Sequence, residues 1–305
     1  MPSRSPLDAL SLVLGSVEAV RNLRALYVLL ATFAIAGLLT AMAENSLAKG
    51  AGTWGAVQAG AALFAAFYGG NAAGILVMDE ARGALPRDIG DAVRTSLLTA
   101  HRLLLALLII GAGYAVFAAV LLALLWLCRV AVTGPVLGPM LFGLAVPVGV
   151  VSVGIALLAL VAVVVPLAAP GVWAGVGVLD IVRQLLRWMH QRLVTIALLM
   201  AAVSLLTAGV GALVTFVVMA GGRVVSELGV AVVGVDVPAP SLMAGLFGYG
   251  LRSLGAVGAP TGSTGHAAAA LVGGGVVFAL ALVLPGLVYL RGTCSVYLAM
   301  SDDGR

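Results

Sequence analysis

The chain has 305 residues, 62% of them hydrophobic and only 9% charged, and a formal net charge of +4. Soluble domains carry about 25% charged residues, and apolar runs of about twenty read as membrane spans. The composition excludes a soluble globular fold. Because the basic residues flank apolar runs, they point to anionic lipid headgroups rather than to nucleic acid.

The first polar segment, DALSLVLGSVEAVRNLR from Asp8, precedes an apolar run over 25–43. That run ends in Ala41-Met42-Ala43, a pattern seen at signal-peptide cleavage sites. The polar leader and the run are both too long for a signal peptide, so a retained first span is expected. A second span is expected over 54–78, where Ala62, Ala66, Gly70 and Gly74 fall every four residues. Such a ridge of small residues lets helices approach closely. Gln58 and Asn71 are nearly the only strongly polar side chains in any run; Asn71 is expected to bond a neighbouring helix, with cavity lining as the other reading. Asp79-Glu80 reads as a solvated cytoplasmic turn.

Next comes DAVRTSLLTAHR from Asp91, matched by DIVRQLLRWMHQR from Asp180, 89 residues later. Both have Val two, Arg three, Leu six and His ten residues after the Asp. The spacing predicts short amphipathic helices at the membrane surface, with Ile89, Val93 and Leu97 as the apolar stripe of the first. In the second, Ile181, Leu185 and Met189 share a face with Val182 and Leu186, and Trp188 is expected at the headgroup boundary. Asp near the start and His near the end suit the helix dipole. Within one copy, Asp91 and His101, or Asp180 and His190, lie about 15 Å apart along a helix and cannot touch. The segment from Asp8 is a weaker third copy.

Four more spans are expected, over 103–128, 140–165, 193–219 and 267–290. Residues 140–179 carry no charge, and as one helix they would measure about 60 Å against a bilayer core of about 30 Å. Pro166 and Pro170 are the expected break, with 171–179 along the cytoplasmic interface. The connection 220–266 is apolar, and its SLMAGLFGYGLRSLG stretch reads as a surface or re-entrant helix. Leu242, Leu246 and Tyr249 would form its contact surface for a partner subunit.

Unsatisfied backbone groups are not tolerated in lipid, so the spans must be helices. With six spans, twelve basic residues fall on one side and four on the other: Lys49, Arg129, Arg223 and Arg252. The positive-inside rule then places both termini in the cytoplasm. The expected fold is all-α and polytopic, in three tandem units, 8–90, 91–179 and 180–305, each a surface helix and two spans. Arg94, Arg102, Arg183, Arg187 and Arg192 are the candidate headgroup contacts.

The amphipathic segments, with the closing VYLRGTCSVYLAM from Val288, resemble a broad group of bacterial six-span membrane modules. These include the membrane portion fused to some glycerophosphodiester phosphodiesterases. The resemblance implies a six-helix form in a bacterial inner membrane and carries over no activity.

No metal-binding or nucleophile motif occurs, so no catalytic, metal or cofactor residue is assigned and no enzyme activity is expected. No charged side chain lies deep in the expected spans, which argues against ion-coupled transport. The expectation is a non-catalytic membrane subunit, scaffold or assembly factor, bound to membrane lipids and to other subunits or itself. The alternative is a lipid-handling or small-molecule transport protein with a cavity near Gln58 and Asn71.

Overall fold

The computed structural model describes residues 14–85, 87–129, 134–233 and 264–302. Leu242, Leu246 and Tyr249, and the start of the copy at Asp8, lie outside them. The described chain is all-helical, and six helices are long and apolar enough to cross a membrane. A 3-10 turn over Gly15–Arg21 leads into α1 (Leu23–Ala48) and α2 (Gly52–Ala81). Then come α3 (Ile89–Thr99), α4 (His101–Arg129) and α5 (Gly134–Ala159). A π-turn at Leu160–Val164 joins α5 to α6 (Val165–Trp173). The chain continues through α7 (Val178–Gln191), α8 (Leu193–Val233) and α9 (Thr264–Asp302). Contacts divide it into two compact units. Among the described residues, unit 1 holds 94–129, 134–202 and 293–302, and unit 2 holds 14–85, 87–93, 203–233 and 264–292.

In unit 2, α1 and α2 form an antiparallel hairpin. On α1 the inward residues are Ala25, Leu29, Thr32, Ala36, Leu39, Ala43 and Ser46; on α2 they are Gly55, Gln58, Ala62, Ala65, Gly69, Ala72 and Leu76. Both sets alternate steps of three and four, the seven-residue repeat of a coiled-coil seam. Small residues make the seam close. A Cβ on Gly69 would collide with Thr32, and one on Gly55 would lie 2.7 Å from Leu47 Cγ. The expected ridge of Ala62, Ala66, Gly70 and Gly74 is therefore not the packing line: Ala66 is exposed and Gly70 faces open space. A strict four-residue step drifts around a helix, whereas the alternating step holds one face toward its partner.

The turn after α1 is a Schellman close, in which Ala51 N–H bonds Ser46 C=O and Gly50 takes φ +78°. The end of α6 repeats it: Val176 N–H bonds Gly171 C=O and Gly175 takes φ +80°. That left-handed residue is strained for any side chain but is open to glycine.

Helix continues from Gly134 to Trp173, so the break expected at Pro166 and Pro170 falls instead at Gly175. The π-turn explains why Pro166 is tolerated. Val165 N–H reaches back five residues to Leu160 C=O, and this widened turn lies directly before a residue that has no N–H to give. Gly171 to Trp173, expected along the interface, are buried in α6. Helix α8 runs to Val233, so the first fourteen residues of the expected connection 220–266 are helical, as are its last three. Helix α9 covers the whole of the expected last run, 267–290, and continues past it through Arg291 to Asp302.

Candidate functional site

Two polar systems stand out in the described residues, one in each unit. In unit 2 the end of the α1–α2 hairpin that carries the expected cytoplasmic charges is closed by charge and amide groups. Asn22 caps α1 by accepting from Ala25 N–H at 3.0 Å, and its amide donates to Glu80 Oε2. Asp79 is buried, with only 4% of its surface exposed, which overturns its reading as a solvated turn. Its partner is Arg87, whose Nε lies 2.9 Å from Oδ2 and whose Nη2 donates to Oδ1 at 3.2 Å. Arg24 Nη1 donates to the Arg87 carbonyl at 2.9 Å, and Arg291 Nη1 to the Val77 carbonyl at 3.4 Å. Burying a carboxylate is tolerable only beside such a partner, so this cluster is a clasp on the hairpin.

The polar residues inside the spans also act on the protein itself. Ser46 Oγ donates to Gln58 Oε1 at 2.8 Å across the hairpin seam. Asn71 Nδ2 donates to Phe67 C=O, 2.8 Å away and one turn back on its own helix. Tyr114 in α4 donates to Ala156 C=O in α5 at 2.7 Å. Gly74 is buried beside Asn71 on α2.

Unit 1 carries the five candidate headgroup arginines. Arg94, Arg183 and Arg187 are exposed, and Arg102 and Arg192 are half-buried at the ends where α4 and α8 begin. Arg183 Nη1 lies 3.7 Å from Asp180 Oδ1, with both side chains largely in solvent. Such an exposed pair holds neither group firmly, so Arg183 remains open to an external anion.

The opposite face of α7 is fastened to protein. Ile181, Val182, Leu185 and Trp188 are buried, and α7 packs on α4 and α6. Trp188 meets the ring of Tyr297 edge-on at 5.5 Å, and Tyr297 OH donates to Gln184 Oε1 at 3.1 Å. The expectation of Trp188 at the headgroup boundary is thus corrected. A tryptophan needs room and partners, and Tyr297 of α9 supplies them.

Helix α3 turns the same register inward but fills it differently. Ala92 and Ser96, one and five residues after Asp91, are fully buried; Ile181 and Leu185 hold the same places after Asp180. The expected stripe of Val93 and Leu97 is exposed. Small side chains allow closer approach than bulky ones, so the burial follows them rather than hydrophobicity. His101 opens α4, whereas His190 lies in the last turn of α7 with Nδ1 3.2 Å from Leu186 O. The dipole reading of the histidine therefore fits only the second copy.

Among the described residues, no group of three His, Cys, Asp or Glu side chains is placed to hold a metal ion. Fold and charge together describe a multi-pass helical membrane protein. The chain matches no known protein family, no curated protein and no solved structure.

Proposed function

We propose that this protein is a non-catalytic subunit, scaffold or assembly factor of a membrane complex, sitting in a bacterial inner membrane with both termini in the cytoplasm. One observation carries the reading. Helix α8 has 41 residues, about 60 Å, twice the roughly 30 Å that a bilayer core requires. Measured from Arg192 at the cytoplasmic face, the core is crossed well before Arg223. Beyond Arg223 the helix still exposes Val224, Val225, Leu228 and Val232, the last by 80%. Apolar side chains arrayed past the membrane face favour a covering protein surface. Gln58, which the transport alternative needs as a cavity residue, is engaged by Ser46 instead.

Photo-crosslinking in cells tests this. A benzophenone amino acid at Leu228 or Val232 should give discrete protein adducts, and one at the mid-span position Leu205 should give lipid adducts only. Equal absence of protein adducts at all three positions would remove the basis for a partner on this helix.

A further inference from the structure

The contrast between α3 and α7 bears on what the cytoplasmic end of unit 1 binds. Over 94–202 that unit has six arginines and one acidic residue, Asp180. Five of the six lie at the end where α3 meets α4 and α7 meets α8. Arg94, Arg183 and Arg187 are exposed there, so the local field is strongly positive and open. Asp91 and Asp180, each in the first turn of its helix, are the carboxylates beside them, with His101 and His190 at the far ends.

The apolar pattern adds a depth to this charge. Leu98 is 63% exposed, Leu97 46%, and the exposed surface continues onto α4 through Leu104, Leu105 and Leu108. Only Ala100 separates the two helices, and hydrogen bonds bridge it: its N–H bonds Ser96 C=O, and Leu103 N–H bonds Ala100 C=O. The bulky leucines of α3 therefore extend the lipid-facing surface of a span, with Arg94 beside them. In α7 the place of Leu98 is taken by Arg187, Leu186 at the place of Leu97 stays exposed, and Val182 at the place of Val93 is buried.

We propose that unit 1 binds anionic phospholipids of the cytoplasmic leaflet. In this arrangement Leu97 and Leu98 of α3 enter the acyl region, and Arg94, Arg183 and Arg187 meet the phosphates. Guanidinium forks match phosphate geometry, and leucines beside them place the headgroup at the polar boundary. The inference is independent of the partner proposed for α8.

The test uses the full chain in nanodiscs of phosphatidylcholine alone or mixed with phosphatidylglycerol. Nitroxide labels at Leu98→Cys and Arg187→Cys, in a Cys128→Ser, Cys294→Ser background, report depth through collision with oxygen against a water-soluble nickel complex. Position 98 should lie in lipid and position 187 in water. Enrichment of phosphatidylglycerol in the lipid retained after detergent extraction should fall about fivefold for each arginine removed in Arg94→Gln, Arg183→Gln and Arg187→Gln. The Arg→Lys versions should keep most of it, which separates charge loss from misfolding. A parent chain with no phosphatidylglycerol preference, glutamine variants that retain it, or a water-exposed label at position 98 would each overturn the proposal.

Discussion

Helices α3 and α7 start from the same Asp-x-Val-Arg pattern and bury the positions one and five residues after the aspartate, yet they are anchored by different means. In α7 those positions are Ile181 and Leu185, reinforced by Trp188 against Tyr297. In α3 they are Ala92 and Ser96, while Val93, Leu97 and Leu98 remain outside. A repeated motif can thus preserve which face turns inward without preserving what fills it. Bulky residues make a lock on the protein; small ones let the backbone approach and free the bulky neighbours for lipid.

The comparison can be broken at several strengths. Trp188→Ala removes the largest inward side chain of α7 and should destabilise the protein by about 3–5 kcal/mol, read as a lowered thermal midpoint in detergent. Alanine at 188 with an unchanged midpoint would show that α7 is not locked. Ser96→Leu gives α3 the residue that α7 has at the matching place and should destabilise by about 1–3 kcal/mol through overpacking; a gain in stability would mean that the small face has spare room. Tyr297→Phe loses the bond to Gln184 but keeps the ring contact, so about 0.5–1.5 kcal/mol is expected. Leu97→Ser and its counterpart Leu186→Ser lie on exposed surface in both helices and should stay within about 0.5 kcal/mol in detergent. A large effect of either would reassign its face.

Much of this architecture was legible in the amino acids, for a plain reason. Six long apolar runs can be satisfied in lipid only as helices, and the structure has six candidate spans. Two helix breaks, at Ala100 and Arg192, follow the two polar segments where arginine and histidine gather. What sequence reasoning misjudged was which side of each helix faces protein. Hydrophobicity marks the core in water, but in a membrane both sides are apolar, so the surface stripe of Val93 and Leu97 did not show that Ala92 and Ser96 would be the buried side. Size was the better signal. The seven-residue spacing of Gly55, Ala62 and Gly69 was visible in the sequence, and an alternating step of three and four would have found it. Pro166 misled because the rule for proline assumes a regular α-turn, and the π-turn before it changes the geometry. Burial of Asp79 depends on Arg87, eight residues away across a turn, which no local pattern announces.

The central claim is that the arginine-rich helix ends share one side of the membrane and the hairpin tip at Lys49 lies on the other. Single cysteines replacing Lys49 or Arg187, with Cys128 and Cys294 changed to Ser, can be exposed to a membrane-impermeant thiol reagent in spheroplasts of a bacterial expression host. Labelling at position 49 in intact spheroplasts, and at 187 only after lysis, is the predicted result. Labelling of position 187 from outside, or of both positions alike without lysis, would contradict it.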